Sequence, residues 1–169
     1  MLPKSLVAAR KLLEEITPLQ TDCGLVCGGA CCQTHPGEET GMLLFPGEAE
    51  MYRGEEGFTL VDSPHGTILV CEGCCSRANR PLACRMFPLV MLLRPDGVKI
   101  ATDAAAQSVC PLARQGKSAL SQDFVAAVRQ AANLLAQDDQ QAAHLRRLTD
   151  MQDELKALRA QYRGRKEHV

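Results

Sequence analysis

Nine cysteines lie in this 169-residue chain, and their spacing is the feature best suited to chemistry. Cys23, Cys27, Cys31 and Cys32 fall in the stretch CGLVCGGACC. Cys71, Cys74 and Cys75 follow in CEGCC, and Cys84 and Cys110 stand singly. Clustered thiols can pair as disulfides, exchange electrons as a dithiol, or converge on a metal. An odd count and the adjacent pair Cys31–Cys32 suit a disulfide framework poorly. Cys71 and Cys74 form a CxxC, the spacing at which two thiolates chelate one ion and also the spacing of a redox dithiol. Four further donors in a glycine-rich loop turn the balance to metal, because packing gives no reason for them. A lone cysteine is often a small buried hydrophobe, and that reading suits Cys75. Side chains of neighbouring residues diverge, so Cys31 and Cys32 point toward different ions: two four-thiolate sites, or one multinuclear cluster.

All-sulfur ligation fits zinc and iron–sulfur clusters alike. Zinc sites favour tidy paired knuckles, and only Cys71/Cys74 has that spacing. Iron–sulfur loops bunch three or more cysteines and set another beside a proline, as Cys110–Pro111 does. The pattern leans toward an iron–sulfur cluster over zinc.

The runs CGLVCGGACC and CEGCCSRANRPLACRMFP, with the later Cys110–Pro111, resemble the YkgJ-type CxxCxxCC cysteine-cluster family, described as zinc- or iron-chelating domains. The closest match is RPLACRMFP, from Arg80 to Pro88, and the resemblance spans roughly residues 20–115. It implies Cys23, Cys27, Cys31, Cys32, Cys71, Cys74, Cys84 and Cys110 as metal ligands. Cys74 is preferred to Cys75 by its distance to RPLACR. The first loop departs from the family pattern, reading CxxxCxxxCC with one more residue in each gap.

Other chemistry-bearing residues form no comparable constellation. Arg80 and Arg85 can offset thiolate charge from outside the ligand shell. His35 and His65 sit in polar loops near cysteines as substitute ligands, while His144 and His168 read as surface residues. Glu38, Glu39 and Asp103 are ordinary carboxylates. There is no nucleophile elbow and no phosphate-binding glycine loop, so no catalytic residue is assigned. The leading expectation is a cytoplasmic metal-binding protein whose iron–sulfur cluster or zinc is structural or carries electrons. Its rivals are an enzyme, either a thiol oxidoreductase using Cys71/Cys74 or a cluster-dependent group-transfer catalyst, and a metal-delivery module.

Several elements must position these thiols. Residues 5–16 read as a helix with Leu6, Leu13 and Ile16 on one stripe, ended by Pro18. Residues 21–41 read as an irregular loop. Met42–Phe45 is a short strand running into a helix, HGTILVC a strand delivering Cys71, and PLVMLLRPDGVKIATD a hairpin. Beyond Ser118, Phe124, Val128, Ala131 and Leu135 mark a helix. Asp138 offers an N-cap to another, with Gln141 three residues on. That last helix carries Leu148, Met151, Leu155, Leu158 and Tyr162, a stripe for docking on the body or for a homodimer. The expected class is α+β: a small, mostly antiparallel sheet and cysteine-rich loops, packed with helices at both ends. The expected division is a cysteine-cluster domain over 1–117 and a helical extension over 118–169.

Composition narrows the function further. A net charge of −1 and only six aromatic residues, none of them Trp, leave neither a basic footprint nor a stacking platform for nucleic acid. The charged N-terminal stretch MLPKSLVAARKLLEE lacks a signal-peptide core, and no apolar run is long enough for a membrane span. Thiols stay reduced in the cytoplasm, the expected location.

Overall fold

The computed structural model describes residues 1–33, 41–73 and 75–166. His35, Glu38, Glu39, Cys74 and His168 lie outside the described residues. The fold is α+β, with antiparallel strands between helices.

Helix α1 spans Lys4–Leu12 and buries Leu6, Ala9 and Arg10. It stops four residues short of the expected end, and carbonyls at and beyond that end take arginine side chains as donors. Arg85 Nη1 donates to Arg10 O at 2.9 Å, Arg77 Nη2 donates to Ile16 O at 2.7 Å, and Arg77 Nε bonds Glu14 O. Side chains thus satisfy groups that a further helical turn would have used. A single turn, α2 (Gly24–Cys27), follows in the cysteine loop.

Strands β1 (Gly41–Leu43), β2 (Phe58–Ser63) and β3 (Gly66–Cys71) form one antiparallel sheet in the order β1-β3-β2. The segment after β1 is a 3-10 turn over Glu48–Met51, not the expected helix. Strand β2 escaped the sequence reading. Its signal was the hairpin turn Ser63–Pro64–His65–Gly66, where Ser63 pairs with Gly66. Leu44, Tyr52 and Leu69 make a small core on this sheet.

The short helix α3 (Leu82–Met86) leads to a second, separate sheet, the hairpin β4 (Leu89–Arg94) and β5 (Gly97–Thr102). Arg94 pairs with Gly97 across the expected turn. Among the described residues there are two small sheets where one was expected. The first has its own core, and the second packs against α5 (Gln122–Leu135) and α6 (Asp139–Lys166). Between β5 and α5 lies α4 (Pro111–Gln115), with Pro111 at its first turn. The main core gathers Leu6, Leu13, Leu82, Met91, Phe124 and Leu135, all fully buried. Each such side chain contributes roughly 1.5–3 kcal/mol by leaving water.

Asp138 caps α6 as its type and place suggest, accepting from Gln140 and Gln141 N–H at 3.1 and 3.2 Å. The Gln141 side chain does not close a reciprocal box; its Nε2 donates to Pro46 O at 2.9 Å. The docked face of α6 differs from the expected stripe. Gln141, His144, Leu145, Thr149 and Gln152 are buried, whereas Leu158 and Tyr162 are exposed. Polar groups drive this register. Thr149 Oγ1 accepts Leu93 N–H at 2.9 Å, Gln152 Oε1 accepts Ala104 N–H at 2.9 Å, and Gln152 Nε2 donates to Asp103 at 2.8 Å. His144 is therefore no surface residue: it is buried against Phe45, ring centroids 4.7 Å apart. Among the described residues, no helix is long and apolar enough to cross a membrane.

Candidate metal centre

The cysteine loop is shaped by local bonds rather than by a hydrophobic pattern. Asp22 Oδ1 accepts Gly24 N–H at 2.9 Å, opening the turn that carries Cys23 and Cys27. Gly28 and Gly29 then adopt φ of 65° and 71° in succession. Only glycine takes two such left-handed residues without strain, and the pair folds Cys31 and Cys32 back beside the earlier thiols. The Cys31 and Cys32 sulfurs stand 4.0 Å apart, well beyond disulfide bonding.

RPLACRMFP divides its work residue by residue. Pro81 holds the N-cap of α3, and Leu82 N–H donates to buried Glu48 Oε1 at 2.7 Å. Glu48 also pairs with Arg10 of α1. Arg85 is a tie-bar: besides Arg10 O, it donates to Ala78 O at 2.9 Å, Arg80 O at 3.1 Å and Arg77 O at 3.3 Å. These bonds fix the helix that presents Cys84. Arg80 faces the thiols instead. Its charge acts on both Cys75 and Cys23, and its Nε is buried without a partner among the described residues.

Two adjoining cavities result. Cys23, Cys27, Cys31 and Cys110 line the first, with Phe87 and Leu112 in its wall and a volume of about 20 Å³. Cys110 reaches it from the N-cap of α4 and is itself part of the main core. Cys32, Cys71, Cys75 and Cys84 line the second, of about 110 Å³, together with Arg80, Met42 and Leu69. Cys31 and Phe87 border both cavities. Seven of the eight cysteines assigned by resemblance therefore line a cavity, and Cys75, read as a packing residue, lines the second. The sequence did carry a signal for Cys75: it sits one residue from the CxxC and five before Arg80. His65 is exposed at the β2–β3 turn and lines neither cavity. Asp103 serves as a turn cap, accepting Ala105 N–H at 2.8 Å.

Among the described residues, no three Cys, His, Asp or Glu side chains converge as tightly as a ready-made ion site. The donors surround shared spaces rather than a single point. Chemically the set fits zinc or an iron–sulfur cluster, which take all-thiolate ligation. Burial pushes the Cys71, Cys75 and Cys84 thiols up, with neighbouring thiols raising Cys71 and Cys84 further and Arg80 opposing the rise at Cys75. Burial raises Cys23 as well, and the hydrogen bond to Cys32 raises Cys31 most. Reactive redox thiols need the opposite shift. A bound cation would reverse it, since coordination deprotonates a thiol outright.

No family model, curated protein or solved structure matches this chain.

Proposed function

We propose that this chain is a cytoplasmic metal-binding protein that holds an iron–sulfur cluster or zinc through its clustered cysteines. The metal serves the fold or carries electrons. One observation carries the reading: thiols from four separate segments line two adjoining cavities. Packing alone does not gather so many cysteines, and free thiols of this kind persist where disulfides are rare. Cys23, Cys27, Cys31 and Cys110 would hold metal in one cavity, and Cys32, Cys71, Cys75 and Cys84 in the other. Coordination would join the cysteine loop, β3, α3 and the start of α4. An iron–sulfur cluster, when bound, would supply one-electron chemistry; zinc would supply rigidity alone.

The half-exposed stripe of α6, ending at Leu158 and Tyr162, supports a homodimer or protein contact as the accompanying reading. Metal and acid-labile sulfide analysis, with an absorption spectrum, on protein purified without oxygen tests the main proposal. Bound iron with sulfide, or bound zinc, is expected. Protein that carries neither and stays folded would sink it.

A further inference from the structure

We infer that the two thiol-lined cavities take different loads: a single metal ion among Cys23, Cys27, Cys31 and Cys110, and a multinuclear metal–sulfide cluster among Cys32, Cys71, Cys75 and Cys84. The inference rests on the metal-binding reading and adds the division of labour. Donor chemistry does not separate the sites, since each has at least four thiols in its wall, with Cys31 bordering both. Space does. About 20 Å³ in the first cavity is little more than the room one water needs, roughly 10–15 Å³. An ion bound at ~2.3 Å from each sulfur asks for no more. The second cavity offers about 110 Å³, room for several non-protein atoms among its sulfurs. This apolar-walled cleft, ringed by thiols, has room that a single ion would leave unfilled. Metal–sulfide clusters held by four cysteines contain sulfide as well as metal, and need that volume.

Surroundings agree with the division. The first cavity abuts the main core through Cys110, with Cys23 packed against it, as suits an ion that fastens structure. The second has a cation in its wall, Arg80, beside Cys75 and Cys84, which would offset the negative charge of a thiolate-bound cluster. Its outer side is also reachable: Cys71 and Cys75 line an open groove of about 310 Å³ beside Glu72 and Asn79. A cluster can be assembled or exchange electrons through such an opening. Cys31 and Cys32 form the partition, their sulfurs 4.0 Å apart.

Native mass spectrometry of the full-length protein, purified without oxygen, reads the load directly. The expected mass increment is one metal ion plus one cluster containing sulfide. Two ions without sulfide, or one cluster alone, overturns the division while leaving metal binding intact; a bare chain overturns both. The variants Cys84→Ser and Cys110→Ser, checked for folding by circular dichroism, assign the loads. In folded protein, Cys84→Ser should lose the sulfide and keep the ion, and Cys110→Ser should do the reverse. Folded variants that each lose both loads equally would mean a single shared centre. Should neither variant fold, the wild-type increment still decides.

Discussion

Replacing Arg80 by Met takes a cation from beside Cys75 and Cys23 at once, without touching the tie-bar made by Arg85. Outer partners of metal ligands typically change affinity ~10–100-fold when removed. Arg80→Met should therefore speed metal loss to a competing chelator by about tenfold or more, with Arg80→Lys restoring part of the retention and the circular dichroism unchanged. Arg85→Met should act on stability instead. Arg10 O, Arg77 O and Ala78 O keep other donors, so the cost is that of the lost bonds, about 0.5–1.5 kcal/mol each, and the urea midpoint should fall. A third substitution tests Cys75. Cys75 lines the second cavity, so Cys75→Ser should lower the metal content, a loss that a mere packing residue would not cause. Unchanged metal content in Cys75→Ser would return Cys75 to a packing role.

At the scale of elements, α6 is the instructive case. Its sequence presents Leu148, Met151, Leu155, Leu158 and Tyr162 at apolar spacing, yet the docked face is built on Gln141, Thr149 and Gln152. Hydrophobic periodicity cannot register a helix whose anchors are hydrogen bonds to strand and turn backbone. Thr149→Val should cost about 1–3 kcal/mol, because the Leu93 N–H loses its acceptor; equilibrium urea unfolding measures it. The same helix should make stability depend on pH. Burial, and secondarily Arg147, lower the His144 pKa from 6.5 to about 4. The unfolded chain then binds the proton first, so stability is full above pH ~6.5 and is lost as pH falls toward 4, by up to ~3 kcal/mol. His144→Gln should flatten that part of the profile relative to the native protein; thiol protonation is common to both and cancels in the difference. Other elements were legible. The RPDG hairpin and the Asp138 cap follow from local chemistry that context does not override, and the α+β class follows from them. Strand β2 was not, because its exposed half, Val61 and Asp62, breaks the alternation begun by Phe58 and Leu60.

For the whole molecule, the clustered thiols were legible in the sequence, but their grouping was not. Spacing names the thiols; only the fold reveals that Cys110, next to Pro111, joins Cys23 and Cys27 while Cys84 joins Cys71. Metal held as proposed would tie the main core to the smaller sheet. Thiolate zinc binds small peptides with ~10–16 kcal/mol, about the whole stability of a domain at ~5–15 kcal/mol. Chelation should therefore strip protease resistance from residues 20–115, and limited digestion with mass mapping of the fragments will show it. A digestion pattern unchanged by chelator would mean that the core stands without metal.

The bond from Leu93 to Thr149 has a further consequence, one of timing. A ribosome makes β4 well before the residue that covers its edge, with 56 positions between donor and acceptor. At ~5–20 residues per second, the edge waits for several seconds, its backbone open to any other strand nearby. A chain that stops after Leu135 never receives its cover. Such a truncated protein is expected to associate through β4 into light-scattering aggregates at concentrations where the intact chain stays dispersed, even with its full set of cysteines.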